Sequence, residues 1–563
     1  MRQIAVAAVW LALIFPRSSS CGQPLSRDDS LRVLRWAQHA QWDFERHRRF
    51  GLPPIYTNQS APCDLIGRFC LRHGGVAFQR LPIETLQESR EDFRRVLDSA
   101  AALLPGDDWI AGQRVRYLVD AGDGNAAVLA ARSCRGTDWW CAALEGMALH
   151  VTGDVARAEQ AFQNALSEMP MEKRCRWTDL TYLLEEPLRA AYRRLGCAER
   201  AGFERRVWLM ADPLFLTPGN ERWTEHLARH VWAESERVAV NAFWMPWGPD
   251  LEEMVVRFGW SEKWTREPPA ILETGPLVVN GHEHEPNYHF LPEREPPEDV
   301  SALDESLWDL GKLQPREAYA PRYAQVFVRF QPQVARFRRG DSTLIVAAYR
   351  MGDDDFLAPH KFVGALAIVT DDSTSPLIVR SSEPGFRATM IGTSPAHVAM
   401  LSVEALALDS TIAARWRAVV TRVELSKNFL TLSDLLFFEP SPTLPTDLDG
   451  AARTAYGNVL HRNRRVGIYW ELYGQTSVDT ELPVSLTLTP LPGNVLKRAI
   501  NALGIGYPPA PINIRWRENG GVGFRSSRSI MVDMSLVPSG SYEVSLEVGN
   551  HPSARTSRTV EVR

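Results

Sequence analysis

Apolar residues along this chain recur first at the spacing of a helix and later at the spacing of a strand. Between Asp28 and Phe50 they fall at Leu31, Leu34 and Ala37, then at Trp42 and Phe44, among charges. That is the stripe of an amphipathic helix. Asp29 or Ser30 can cap its start, and Gly51-Leu52-Pro53-Pro54 ends it. A second helical run covers 83–103, and the turn Thr217-Pro218-Gly219-Asn220 leads into a helix over about 221–240. After Tyr319 the period becomes two. Val466, Ile468, Trp470 and Leu472 alternate with Gly467, Tyr469 and Glu471; Val484, Leu486 and Leu488 and then Tyr542, Val544, Leu546 and Val548 alternate with polar residues in the same way. Each reads as a half-buried antiparallel strand. Further strands are expected at 324–330, 342–350, 362–370, 376–381 and 414–424. Many short strands joined by polar turns point to sandwiches rather than to a parallel sheet with crossover helices.

Between Trp140 and Pro170 the pattern becomes specific. Gly146, Leu149, Ala158, Phe162, Ala165 and Pro170 occupy the positions that define a tetratricopeptide repeat. Gly146 and Ala158 would let two antiparallel helices approach, Phe162 would fill the gap, Gly153-Asp154 would make the turn and Pro170 would stop the second helix. A shift of 34 residues places Gly112 under Gly146 and Ala131 under Ala165, so Trp109–Ala121 and Asn125–Cys134 form a degenerate preceding repeat. Leu180, Leu183, Leu184, Leu188 and Tyr192 suggest a third pair near 178–210. Stacks of this kind usually offer a groove to a peptide or protein partner. The first helix of each hairpin would line it, which nominates Arg114, Tyr117, Trp139 or Trp140 as anchors, because Arg and aromatic side chains dominate binding hot spots.

The cysteines change the picture of where such a protein works. All seven lie between Cys21 and Cys197. Residues 1–20 have the parts of an export signal: Arg2, the apolar run Ile4–Phe15, and Ser18-Ser19-Ser20. Twelve residues would span about 18 Å as a helix, short of the roughly 30 Å hydrocarbon core. Ser-Ser-Ser-Cys resembles a bacterial lipobox, although Ser18 stands where Leu is usual, so Cys21 is either an acylated N-terminus or the thiol of a secreted chain. An exported protein works in an oxidising compartment. Local pairing is expected, Cys63 with Cys70, Cys134 with Cys141 and Cys175 with Cys197, although six cysteines allow fifteen pairings.

Composition describes an ordinary soluble protein, 45% hydrophobic and 23% charged, with net charge −5. A nucleic-acid partner is not expected, since such affinity depends on neutralising phosphates. His226 and His230 stand at i and i+4 on one helix face, and His282, His284 and His289 fall within one short stretch. Imidazoles so grouped could hold zinc or copper, yet Pro286 occupies the place a second histidine would need for H-E-x-x-H. A polar surface loop accounts for the same letters. Arg339-Gly340-Asp341 reads as a hairpin turn, and Gly520-Gly521-Val522-Gly523 as a turn or bulge without the strand–helix setting of a phosphate loop.

Several further segments carry a family resemblance: Cys63-Asp64 with Ile66-Gly67-Arg68-Phe69-Cys70, Gly112–Leu118, Trp139–Leu144, Asp212-Pro213-Leu214 with Thr217-Pro218-Gly219-Asn220, Val256-Arg257-Phe258-Gly259-Trp260, Val334–Asp341 and Gly467–Glu471. Through them the chain resembles uncharacterised exported bacterial proteins with tetratricopeptide-like helices, remotely related to GWxTD-domain proteins. In that family Val256–Trp260 would be a strand. The resemblance implies an envelope location and no known activity.

The expected fold is multidomain α + β: a signal peptide at 1–20, helical hairpins with disulfides at 21–211, a mixed region at 212–318, and two antiparallel β-sandwich-like domains at 319–438 and 439–563, with Glu439–Pro445 as the linker between them. The expected function is interaction or scaffolding in the cell envelope, without catalysis or cofactor, through a protein or peptide partner on the helices and a possible membrane attachment at Cys21. The alternative is a metal-dependent hydrolase centred on the histidines of the middle region.

Overall fold

The computed structural model describes residues 25–51, 63–67, 69–72, 84–241, 244–260, 263–267, 278–282, 288–310, 316–352, 356–426, 429–462, 464–474, 480–491, 510–520, 524–550 and 552–563. The leader, Cys21 and His284 lie outside them. The fold is mixed α + β and multidomain, with helices through the first half and sheets through the second.

The helical part comprises α1 (Arg27–Gly51), α2 (Glu84–Leu103), α3 (Asp108–Asp120), α4 (Gly124–Arg132), α5 (Asp138–Thr152), α6 (Val155–Glu168), α7 (Met171–Trp177), α8 (Leu188–Tyr192), α9 (Arg200–Ala211), α10 (Glu221–Arg237) and α11 (Pro249–Phe258). Helix α1 begins earlier than Asp29 or Ser30, because Ser26 Oγ accepts from the Asp29 amide at 3.1 Å. In the hairpins, small residues set the spacing. A Cβ on Gly146 would lie 2.8 Å from the Phe162 ring, and one on Gly112 2.9 Å from the Trp140 ring. Gly153 closes the α5–α6 turn at φ +81°, a conformation that favours glycine. Over 178–187 there are turns instead of the helix expected there, because Pro187 has no amide to continue one; Leu180, Leu183, Leu184 and Leu188 still reach a buried core with Tyr192 and Phe203.

Two hairpins, β1 (Cys63–Ile66) with β2 (Phe69–Arg72) and β3 (Lys263–Glu267) with β4 (Val278–His282), form one sheet in the order β1-β2-β4-β3. The register sets Leu65 opposite Cys70 and Arg72 opposite both Cys63 and His282. The side chains of Cys63, Cys70 and His282 are outside the described ones. The segment Val256–Phe258 is the last turn of α11 and not a strand, since Leu251, Met254, Val255 and Phe258 are buried at helical spacing and Gly259, at φ +81°, ends the helix.

The strands that follow are β5 (Val326–Val328), β6 (Gln333–Arg339), β7 (Ser342–Arg350), β8 (Phe362–Val369), β9 (Leu377–Arg380), β10 (Arg387–Ser394), β11 (Val398–Ala407) and β12 (Ile412–Thr421). They make two facing sheets, β10-β7-β6 and β5-β12-β11-β8-β9, around a core of Ile345, Tyr349, Leu366, Met390, Leu401 and Val403. Next come β13 (Thr431–Leu432), β14 (Leu436–Phe438), α12 (Leu448–Ala452), β15 (Val459–Leu460), β16 (Arg465–Tyr473), β17 (Glu481–Pro490), β18 (Ile512–Asn519), β19 (Arg525–Asp533), β20 (Gly540–Val548) and β21 (Ala554–Val562). Here a sheet of β13, β14, β16 and β19 faces one of order β15-β21-β20-β17-β18, with Trp470, Leu486 and Leu546 between them.

The chain crosses from one sandwich to the other before β13, so Glu439–Pro445 is not the linker between them. Leu436-Phe437-Phe438 already pairs with β16, and Pro445 leads into α12. The two units share a third core, in which Ala335, Phe337, Val346 and Ala348 pack against Leu436, Phe438, Leu448, Ala451 and Tyr469. Strand β16 is therefore buried on both faces from Val466 to Tyr473, not half-buried. Its expected outward residues Gly467, Tyr469 and Glu471 face the first sandwich.

The contact at Gly146 gives a direct test of the helical packing. Gly146→Ala is expected to lower stability by about 1–3 kcal/mol, the usual cost of overpacking, and Phe162→Leu added to it should recover part of the loss. Urea unfolding followed by tryptophan fluorescence checks both changes.

Candidate binding surface and the buried histidines

Helix α10 determines which parts of the helical unit are open. Asn220 caps it by accepting from the Trp223 amide at 3.0 Å. Leu227, Ala228 and Val231 enter the same core as Val115, Leu144, Met147 and Phe162. Polar groups follow the same line: Gln113 Nε2 donates to the Ser235 carbonyl at 2.8 Å, Arg116 pairs with Glu236, and His150 Nε2 lies 2.8 Å from Glu225. The face of α3 and α5 expected to form an open groove is thus covered by α10.

This sorts the expected anchors. Tyr117 is fully buried, packed edge-on to Phe44 and Phe93, and its hydroxyl donates to Glu45 at 2.6 Å; it belongs to the core and not to a binding face. Trp140 is buried too, with Nε1 donating to the Asp108 carbonyl at 2.9 Å. Arg114 stays partly exposed and joins α3 to its neighbours, with Nε on Asp98 at 2.6 Å and Nη1 on Ser133 Oγ at 3.0 Å. Trp139 is half-buried, with the Lys173 ammonium 4.6 Å above its ring and Trp177 edge-on at 5.8 Å. A disulfide joins Cys134, the residue after Ser133, to Cys141 of α5, Cα–Cα 5.6 Å. A second joins Cys175 to Cys197 across 5.7 Å. Arg114, through Ser133, and Lys173, over Trp139, thus meet the two sides of the segment that the first disulfide closes at the start of α5.

His226 and His230 are both buried on α10. His226 Nε2 is 2.9 Å from the Trp177 carbonyl; a carbonyl only accepts, so this nitrogen carries the proton and offers no lone pair to a metal. His230 stacks on Trp177 and meets His226 edge-on at 4.7 Å. Burial keeps both neutral, His226 well below the ordinary imidazole value and His230 down at about 3. His289 is not in a surface loop: it is buried, with Nδ1 2.9 Å from Glu317. Among the described residues no group of three or more His, Cys, Asp or Glu is arranged to hold a metal ion.

Glu317 collects charge at the other side of α10. It receives Arg222 Nη2 at 2.8 Å and the Phe290 amide at 3.1 Å, all fully buried. Burial alone would raise its carboxyl, yet Arg222 and His289 hold it well below the usual carboxylate range. Arg229 donates to the carbonyls of Val256, Arg257 and Ala318. None of these partners was legible from local spacing, because Arg222 and Glu317 are 95 residues apart.

The chain matches no family model and no curated protein. Among solved structures, a red sea bream transglutaminase aligns with 41% of this chain and 31% of its own length, at 11% identity and a TM-score of 0.12. This chain thus spans less than a third of that protein, and a likeness at that score carries no argument.

A different acid in α10 gives a pH test. Glu221 is buried without a cation beside it; Tyr323 and Thr217 hydroxyls are its partners. Burial pushes its carboxyl up to about 8, against the ordinary 4.5. The folded state therefore holds a proton that the unfolded state releases between those values, so this contribution to stability is full below pH 4.5 and lost as pH rises through 8. Relative to the wild type, Glu221→Gln should gain about 1–3 kcal/mol in stability between pH 5 and pH 8.5, measured by urea unfolding at the two values.

Proposed function

We propose that this protein is an exported, non-catalytic interaction or scaffolding component of the bacterial cell envelope. The observation that supports it best is the half-exposed Trp139 under Lys173 at the start of α5, in a segment closed by the Cys134–Cys141 bond and tied to Arg114 through Ser133. A short disulfide holds the segment that carries this tryptophan in a fixed shape, and fixed aromatic and Arg anchors are what binding hot spots use. Two disulfides fit a chain that matures outside the reducing cytosol. The helices read as tetratricopeptide-like hairpins, but in this proposal their partner meets the rim and not the concave face, where α10 lies. Removal of the leader and acylation at Cys21 would then place the protein at a membrane surface.

A photo-crosslinking residue at position 139 of the full chain, expressed in its own cells, tests the reading against one at Thr559 on the far sandwich. A discrete adduct from position 139 alone, in the envelope fraction and with Cys134–Cys141 oxidised, is expected. Identical adducts from both positions, or a cytosolic protein with reduced cysteines, would refute it.

A further inference from the structure

The first sandwich ends on one side in two unpaired strand edges, β9 and β10. Strand β10 is the longer: all eight residues from Arg387 to Ser394 pair with β7, and nothing among the described residues pairs with its other edge. A regular edge of that length presents a row of open amides and carbonyls to any extended chain. Its side chains alternate, with Ala388, Met390, Gly392 and Ser394 inward and Arg387, Thr389, Ile391 and Thr393 outward. Ile391 stands opposite Val346 of β7, and Val346 is covered by the second sandwich. That cover stops short of β10, leaving Ile391 40% exposed. The result is a cleft of about 960 Å³ whose floor is the outward face of β10 and whose far wall is α12.

The two ends of this cleft differ. The end where β10 begins carries arginines. Arg387 pairs with Glu439 at 2.6 Å, and the Glu439 amide donates to the carbonyl of Thr454, the residue after Arg453. Arg350, opposite Arg387 on β7, lines the same end. Glu383 and Asp449 balance part of this charge, but the exposed Arg453 guanidinium makes no ion pair or hydrogen bond among the described residues. A strand added antiparallel to β10 would run from the Ser394 end toward the Arg387 end, so its own C-terminus would arrive beside Arg453.

We infer that β10 and this cleft bind the carboxyl-terminal segment of a partner protein, added as an antiparallel strand, with an apolar side chain over Ile391 and the terminal carboxylate on Arg453. Backbone pairing would supply affinity, and alternate side chains lying over Thr389 and Ile391 would supply selectivity. The site is separate from the Trp139 surface of the helical unit and rests on the general reading of this chain as an interaction protein. The test uses purified protein, so its failure would leave the cross-linking result from position 139 standing.

A displayed library of random octapeptides with free carboxyl termini, selected on the full chain, provides the probe. Enriched peptides should lose about tenfold or more in affinity on amidation or on Arg453→Glu, the loss of one charge-assisted contact. Ile391→Asp should weaken them as well, with the fold intact by circular dichroism. Hydrogen exchange should show new protection confined to Arg387–Ser394. The inference is overturned if no peptide is enriched over bare support, if amidation and Arg453→Glu leave affinity unchanged, or if protection appears elsewhere. It is overturned equally if β10 is already protected in a self-associated form, which would mean that a second copy takes the edge.

Discussion

A helix surrounded by protein on most sides must neutralise its charges inside, and α10 is such a helix. Glu221, Arg222, Arg229 and Glu236 are all buried there. An unpaired buried charge costs several kcal/mol, so Glu221, with no cation beside it, keeps its proton, while the other three dictate what must come to them. Arg222 requires Glu317, Arg229 requires Glu225 and three carbonyls, and Glu236 requires Arg116. Those partners come from α3, from the last turn of α11 and the segment after it, and from α10 itself. The helical hairpins and the middle region are held together by this one helix, although the sequence pattern divided them at residue 211.

The same device recurs at the next junction. The connection from α9 to α10 lies on the outer face of the β11 sheet, where Leu214, Phe215 and Leu216 meet Ala365, Ala367 and Met400. Its backbone would be left without water, and three side chains from the sheet satisfy it. Glu404 accepts the amides of Phe215 and Leu216, while Arg415 and Arg417 donate to the carbonyls of Met210, Asp212, Pro213 and Trp308. Further along, Gln333 bridges the sandwiches through the Phe437 and Tyr456 carbonyls, and Arg339 reaches Glu471 on β16. Units joined by such buried, directional bonds form one stacked framework, with recognition left to its rims.

What the sequence revealed follows from the range of the interactions involved. Periodicity locates β17 and β20 well because each has one face in a core and one near water. It fails for β16 because Tyr469 and Glu471 are covered by residues more than a hundred positions earlier, and a polar letter does not announce that. Small residues at a helix crossing were readable at Gly146, where the partner Phe162 is close in sequence. The candidate anchors divided for the same reason: Arg114 and Trp139 keep exposed surface, whereas Tyr117 is closed off by α1 and α2, which local spacing does not place. His289 looked like part of a surface loop until Glu317 supplied its partner.

The central claim is that the charges of α10 hold the helical and middle regions as one unit, and Glu317→Gln tests it most directly. Removing the carboxylate leaves Arg222 buried without its counter-charge, for which a loss of about 3–5 kcal/mol is predicted. Urea unfolding should show that loss in a single transition of the tryptophan signal from α3, α5 and α10. A loss below about 1 kcal/mol, the range of exposed pairs, would contradict the account.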